Sequence, residues 1–198
     1  MLHVKLYQLT NKQTFIGFAI SLLFCTTLFF ISPFVESETS HVNSFQKTLH
    51  KKEREIEKLI QNIAQEIEVN SYDNLFKTQL SSFESLYDEK GFVLLVYQND
   101  SLKFWSDNHI PVENFLLKVC LDSKIVKLNN GLFEVRRKEV NNKIIIGLIL
   151  IKNDYSFNNE YLNDEFAIGF HLPSNTAIAD DKANAAHQIF SKENHYLF

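Results

Sequence analysis

The side chains best suited to bind a ligand are three aromatic residues and two arginines in the second half of the chain. Tyr97, Phe104 and Trp105 belong to a stretch whose pattern predicts a β-hairpin, and Arg136 and Arg137 belong to a later predicted strand. If that strand neighbours the hairpin, aromatic rings and guanidinium groups meet on one sheet and can bind a small anionic or aromatic ligand. The alternative is an aromatic core beside an exposed basic edge. The sequence therefore gives Tyr97, Trp105, Arg136 and Arg137 as candidate ligand-binding residues.

The sequence contains no arrangement of residues that is typical of a catalytic or metal site. The five glycines form neither a GxGxxG nor a Walker motif, one of which a nucleotide-binding kinase or cyclase core would need to approach a phosphate. No two of the seven histidines have the i, i+4 spacing of a helical metal site, and there is no G-x-S-x-G nucleophile motif. We therefore predict no catalytic residue, no metal and no cofactor in this region.

The first predicted hairpin covers "GFVLLVYQNDSLKFWSDN", from Gly91 to Asn108. Its two strands meet at Asn99 and Asp100, residues that are common in tight turns. After a short predicted helix from Pro111 to Leu121, the chain to Asp154 predicts three more strands. Their turns fall at Asn129–Gly131 and Asn141–Asn142, where Asn and Gly tolerate a positive φ.

The most apolar of these strands is "IIIGLILI", between Lys143 and Lys152. It is much shorter than the about 20 apolar residues that a membrane-spanning helix needs. Its β-branched isoleucines favour a strand that is buried on both faces. A last hairpin is predicted around Ser191–Asn194, which brings the expected number of mostly antiparallel strands to five or six.

A long helix is predicted from Thr39 to Asn70. Apolar residues recur in it every seven positions, at Val42, Leu49, Ile56 and Ile63. Two interpretations remain open: a helix that packs on its own domain, or a paired helix that forms the stalk of a dimer. A shorter helix is predicted from Ser71 to Lys90. The predicted fold class is α+β, with the long N-terminal helix packed on a mostly antiparallel sheet.

A membrane anchor is predicted at the N-terminus, where Gln13 to Val35 form an uncharged run. The run exceeds the about 20 residues needed to cross, and it is longer than the apolar region of a cleaved signal peptide, which is the alternative. Lys5 and Lys12 precede the run, and acidic residues follow it. Because basic residues favour the cytoplasmic side, the N-terminus is expected inside and residues 36–198 outside, in the periplasm of a cell whose inner membrane holds the anchor.

Charge and cysteine content exclude some partners and links. The net charge of the chain is −4, and the part beyond the run is more acidic still, which argues against a nucleic-acid partner. Only two cysteines occur, Cys25 inside the run and Cys120 outside it, so no intrachain disulfide is expected in the outer part. Cys120 is predicted to be a small buried apolar residue, and an intermolecular bridge is the alternative.

Two stretches resemble the sensor regions of bacterial two-component histidine kinases. "KIIIGLILIKNDYSFNNEYLNDEFAIGF", from Lys143 to Phe170, is similar to a segment of Bacteroidetes-type sensor kinases. "IFSKENHYLF" resembles the closing hairpin that precedes the second membrane span in those proteins. The resemblance extends more loosely from Phe92 to Phe198, and its sheet is similar to the PAS-like extracytoplasmic type called Cache.

The resemblance implies a sensor that works as a homodimer and passes a small-molecule or envelope signal through its membrane helices. Such a protein would use ATP only in a kinase domain that is missing from this sequence, and would reach a response regulator only through that domain. The sequence departs from the family in having no second span and no phosphoacceptor segment. The chain is therefore expected to be a truncated region of a longer protein or a single-pass relative without an output domain.

The sequence thus predicts four regions: 1–12, a cytoplasmic N-terminus; 13–35, the membrane helix; 36–90, a helical stalk and second helix; and 91–198, a sensor domain with an antiparallel sheet. Two other functions stay open. One is an anchored envelope binding protein without kinase output, and the other is the sensor of a chemoreceptor or cyclase.

Overall fold

The computed structural model describes residues 2–69, 83, 85–110, 116–155, 163–173, 176–179 and 185–198, with side chains for all of these except 2–14 and 27–37. The chain divides into two compact units, Met1–Val42 and Asn43–Phe198. The first unit consists of helix, and the second holds the sheet together with the helix packed on it.

The described residues contain three helices and five strands. The helices are α1 (Leu2–Val69), α2 (Leu86–Lys90) and α3 (Leu116–Asp122). The strands are β1 (Phe92–Gln98), β2 (Ser101–Trp105), β3 (Ile125–Leu128), β4 (Gly131–Val140) and β5 (Lys143–Asn153). The predicted α+β class and antiparallel sheet are confirmed. The predicted second helix lies mostly outside the described residues, as does the start of the helix predicted from Pro111.

The strands form one antiparallel sheet in the order β2-β1-β5-β4-β3. The two predicted hairpin turns form as expected, with a positive φ of 48° at Asn99, 59° at Asp100 and 55° at Asn141. Gly131, at the other turn, does not have a positive φ. A side chain is excluded there by a close approach, because a Cβ would lie 2.6 Å from the carbonyl oxygen of Lys152.

The strand that carries the two arginines does not neighbour the first hairpin, so that prediction is wrong. β5 pairs with β1 on one side and with β4 on the other. Strand order depends on contacts between distant parts of the chain, and the local pattern of β4 does not contain it. The very apolar β5 takes the central position, where both faces are covered.

Helix α1 packs on one face of the sheet, which we call the α1 face. Its buried apolar side chains within the second unit are Phe45, Leu49, Ile56, Ile60, Ile63, Ala64 and Ile67. The repeating residues Leu49, Ile56 and Ile63 are thus used within the domain, as the first of the two interpretations of this helix predicts. Two aromatic residues from the C-terminal part of the chain pack on this helix. The ring of Phe45 stacks on that of Phe170, with 4.3 Å between the ring centroids, and meets the ring of Phe198 edge-on at 6.0 Å.

The chain ends in a short hairpin, as the sequence predicts. A single bridge pairs Phe190 with Tyr196, and the backbone N–H of Ser191 donates to the carbonyl oxygen of His195 at 2.8 Å. Asn194 has a positive φ of 64°, which allows the tight reversal. We call residues 191–195 the C-terminal turn.

In the part of the chain that the structure describes, no helix is both long and apolar enough to cross a membrane. The predicted anchor, Gln13 to Val35, lies partly outside this part, since the side chains of residues 13–14 and 27–35 are not described.

Candidate functional site

Arg136 occupies the centre of an ionic cluster on the α1 face. Its Nη1 lies 2.8 Å from Oε2 of Glu193 and 3.5 Å from an oxygen of both Glu53 and Glu134, while Nη2 contacts Glu57 and Glu193. These carboxylates come from three parts of the fold: α1, β4 and the C-terminal turn. One guanidinium group therefore connects the helix, the sheet and the end of the chain.

Lys192 makes the second connection between α1 and the C-terminal turn. Its backbone N–H donates to both carboxylate oxygens of Glu53, at 3.1 and 2.9 Å. Its ammonium group pairs with Glu57. The backbone N–H of Phe190 adds a further contact by donating to Oε1 of Gln46 at 3.0 Å. Three side chains of α1, those of Gln46, Glu53 and Glu57, thus hold the C-terminal segment.

The centre of the cluster is withdrawn from water, whereas Lys192 and Glu193 lie at its exposed side. The exposed fraction is 0% for Glu53, 1% for Glu134 and 9% for Arg136. Burying a charge is unfavourable unless oppositely charged groups and hydrogen bonds compensate for lost hydration. Here four carboxyl groups face only two cations, Arg136 and Lys192, so the compensation is incomplete if all four are ionised.

Two carboxyl groups of the cluster have pKa values shifted in opposite directions. Burial, followed by the neighbouring Glu53, raises the pKa of Glu134 to about 9. Hydrogen bonding to Arg136 lowers the pKa of Glu193 to about 2. Burial opposes the charge of Arg136, but hydrogen bonds to Glu193 and Glu57 outweigh it and raise the arginine pKa. Within one cluster, Glu134 favours the neutral form and Glu193 the ionised form.

The chemistry of this arrangement is electrostatic attachment. The positive centre already holds carboxylates through charge-assisted hydrogen bonds, of which the pair to Glu193 is bidentate. Among the described residues, no group of three or more His, Cys, Asp or Glu side chains could hold a metal ion. The cluster is therefore suited to fixing three elements together.

The two arginines that were predicted to share a ligand site lie on opposite faces of β4, although both line the recess at its edge. Arg136 pairs with Gly147 of β5 and lies on the α1 face, whereas Arg137 pairs with Ile146 and faces the opposite side. Successive residues of a strand point to opposite faces, and the sequence pattern could not tell which face α1 covers. Arg137 is exposed and donates to the carbonyl oxygen of Leu121 at the end of α3.

The two predicted aromatic residues lie near the other edge of the sheet. Tyr97 is buried, and in the described structure its hydroxyl has no hydrogen-bond partner; burial raises its pKa to about 12. It lines a recess of about 210 Å³ between the turns that Asn99 and Asn141 occupy. Trp105 is 42% exposed and donates from Nε1 to Asn108 at 2.8 Å. The four predicted residues do not converge on one pocket.

A recess of about 300 Å³ adjoins the ionic cluster. Arg136 and Glu193 form part of its wall, and the cationic side chains of Lys124, Arg137 and Lys138 also line it. Among the described strands, none pairs with the far half of β4 on this side, because β3 begins only at Ile125. The recess therefore lies at an edge of the sheet where Arg137 and Lys138 are exposed and Arg136 is buried.

Sequence reasoning missed the partners of Arg136. Neither Glu53 on the long helix nor Glu134 on its strand was among the candidate site residues. A signal for Glu53 does exist, because it follows Leu49 by four residues and precedes Ile56 by three, which places it on their face of the helix. The contribution of Lys192 and Glu193 depends on how the chain returns to α1, and no local pattern encodes that.

Comparison with known proteins finds no family model, no curated protein and no solved structure that matches this chain. A functional proposal therefore depends on the residues and contacts described above.

Proposed function

We propose that this chain is the extracytoplasmic sensor region of a membrane-anchored two-component histidine kinase, with a PAS-like or Cache-like sheet. The observation that carries the proposal is the cluster at Arg136, which joins α1, the C-terminal turn and β4 of the sheet. A signal bound to the sheet would change these contacts and so shift α1 relative to the end of the chain. A sensor needs such a coupled, two-state connection.

An anchor at Gln13–Val35 is supported by the helical surface within it. All residues from 15 to 26 are exposed, among them Phe15, Phe18 and Phe24 at 64–75%. A soluble protein rarely leaves so many large apolar side chains in water, and lipid would cover them on every side of the helix. The lysines before the run and the acidic residues after it favour a periplasmic location for residues 36–198.

A homodimer remains part of this proposal. It would form through surfaces other than the repeating residues Leu49, Ile56 and Ile63, because these are buried on the sheet of the same chain. The signal is a small molecule or an envelope component. ATP and a response regulator would be partners of an output domain elsewhere in the full protein, and nucleic acid is not proposed as a partner.

Fusions to reporter enzymes test the location. Alkaline phosphatase is active only outside the cytoplasm, and green fluorescent protein exported in unfolded form fluoresces only inside. A phosphatase fused after Asn108, in the exposed loop that follows β2, is expected to be active, and a fluorescent fusion there to be dark. Both reporters giving the reverse result would exclude an outer sensor.

A chimera tests the coupling. The chain would be joined to the second membrane helix and catalytic region of a characterised histidine kinase, and transcription from its response regulator measured in cells lacking that kinase. Glu193→Gln, which weakens one arm of the cluster at a half-exposed position, is expected to change basal output at least threefold. The matched control Glu139→Gln, exposed on the same strand as Arg136, should leave it unchanged. Equal output from all three chains would favour an anchored binding protein without kinase output.

A further inference from the structure

Two buried carboxyl groups face each other across the contact between α1 and β4. Glu53 and Glu134 are 0% and 1% exposed, and each has an oxygen 3.5 Å from the same atom, Nη1 of Arg136. Oε2 of Glu134 is buried, and no donor among the described residues reaches it. A carboxylate oxygen without a donor in the protein interior is a costly arrangement.

The donors around this pair are committed to other groups. Arg136 gives its closer contacts to Glu57 of α1 and to Glu193 of the C-terminal turn. The backbone N–H of Lys192 donates to both oxygens of Glu53, and the ammonium group of Lys192 pairs with Glu57. The other titratable groups on the wall of the adjoining recess are Lys124, Arg137, Lys138 and His195. None of these contacts supplies Oε2 of Glu134.

Glu53 and Glu134 approach the same guanidinium atom of Arg136, and a hydrogen bond between the two side chains is among the causes that raise the pKa of Glu134. Two ionised carboxylates are both acceptors and cannot form that bond, but one proton between them turns one group into a donor. Like charges at this separation in a buried site also resist double ionisation, as paired carboxyl groups in proteins do. The raised pKa of Glu134 agrees with this geometry.

We propose that Glu53 and Glu134 bind one shared proton at neutral pH and that this proton keeps the C-terminal turn attached to α1. When hydroxide removes it, the pair changes from a monoanion to a dianion, and water is the only other product. Glu53 is then repelled from Glu134, and its movement weakens the hydrogen bonds from the backbone N–H of Lys192, so the turn loosens from α1. The consequence for signalling, an alkaline-sensitive sensor, rests on the proposed function; the proton site itself does not.

Infrared spectroscopy of the full chain in detergent micelles tests the proton directly. At neutral pH ordinary Asp and Glu side chains are ionised, so the carbonyl band of a neutral carboxylic acid is expected from the shared proton alone. The band should persist at about pH 7 and fall about tenfold one pH unit beyond its alkaline midpoint. Glu134→Gln should abolish it, and Glu139→Gln should leave it intact. A parent protein without the band at neutral pH would overturn the proposal.

Spin-label distances test the attachment. Nitroxides at Arg54→Cys on α1 and Gln188→Cys before the C-terminal turn, both exposed, would be used in a chain with Cys25→Ser and Cys120→Ala. The distance distribution is expected to broaden at the same alkaline midpoint as the infrared band. In Glu134→Gln it should stay narrow throughout, since an amide donates to Glu53 at every pH.

If the infrared band is present but the distance between the two spin labels does not change with pH, the proton has no role in attaching the turn to α1. Glu53→Gln provides the second variant if Glu134→Gln does not fold, and circular dichroism identifies a chain that is unfolded. Failure of the kinase chimera to respond would leave both measurements unaffected, so the two proposals fail separately.

Discussion

The Cβ position of Gly147 lies 2.8 Å from Cδ1 of Ile56, so α1 touches the central strand where that strand has no side chain. Because Gly147 carries a hydrogen atom in place of a side chain, the helix can approach the backbone of β5 closely. Ile60 is equally near, with its Cδ1 at 2.9 Å. Contact between helix and sheet at this depth makes this part of α1 an element of the domain core, and it places Glu53 within reach of β4.

Gly147→Ala is expected to destabilise the domain by about 1–3 kcal/mol, because a methyl group would overpack a filled site. Ile56→Val removes the Cδ1 atom that the new methyl group meets, so the double variant should recover part of the loss. Urea unfolding followed by circular dichroism measures both. Gly17→Ala is the control, since nothing lies within 4 Å of its Cβ position. Strictly additive effects of Gly147→Ala and Ile56→Val would show that the two residues are not in contact.

Arg136→Ala is expected to cost about 3–5 kcal/mol, because it leaves buried carboxylates without their cation. Arg137→Ala is the matched control on the next residue of the strand. Arg137 is exposed and gives up one hydrogen bond to Leu121, so its loss should cost about 1 kcal/mol or less. Chemical unfolding at neutral pH compares the two. Similar losses for both arginines would contradict the assignment of Arg136 as the centre of the cluster.

The local elements were predictable from the sequence because their signals are local. Asn99-Asp100 and Asn141-Asn142 mark their turns through residues that accept a positive φ, and the isoleucines of β5 mark a strand covered on both faces. Strand order was not predictable, because pairing of β5 with β1 joins segments about 50 residues apart. The face that Arg136 occupies follows from that order, and so its role was missed too.

Lys52 of α1 is a second residue whose role could not be predicted from the sequence. In the sequence it interrupts the apolar repeat of α1 and suggests an imperfect seam. In the fold it is 8% exposed, its ammonium group donates to the carbonyl oxygen of Lys90 at 2.5 Å, and it lies over the rings of Phe92 and Phe170. A lysine can occupy an apolar face when its tip finds such partners, and these partners are distant in sequence.

Cys120 is expected to react with thiol reagents only when the domain unfolds. It is fully buried, and burial raises its pKa to about 11, so the reactive thiolate is scarce at neutral pH. Mass spectrometry of a Cys25→Ser chain, in which Cys120 is the single thiol, should show little labelling until urea is added. A disulfide-linked dimer of this variant on a non-reducing gel would restore the intermolecular bridge, which the buried position disfavours.

The raised pKa of Glu134 should make the folded protein less stable as the pH rises. Its folded pKa of about 9 is above the ordinary value of 4.5, so the folded state holds a proton that the unfolded state releases. Its contribution is therefore complete below about pH 4.5 and is lost as the pH rises through about 9, by up to about 1.4 kcal/mol per pH unit. Lys52 acts in the opposite sense: burial lowers its pKa to about 8, which adds stability as the pH rises beyond that value.

The difference between parent and Glu134→Gln isolates this contribution, because Lys52 and Glu193 titrate alike in both chains. Urea midpoints measured from about pH 5 to about pH 9 should show the parent losing stability relative to Glu134→Gln as the pH rises. The control Glu139→Gln should follow the parent across the range. If the difference between parent and Glu134→Gln is constant with pH, Glu134 is ionised in the folded protein, and the cluster must then hold four charged carboxylates against two cations.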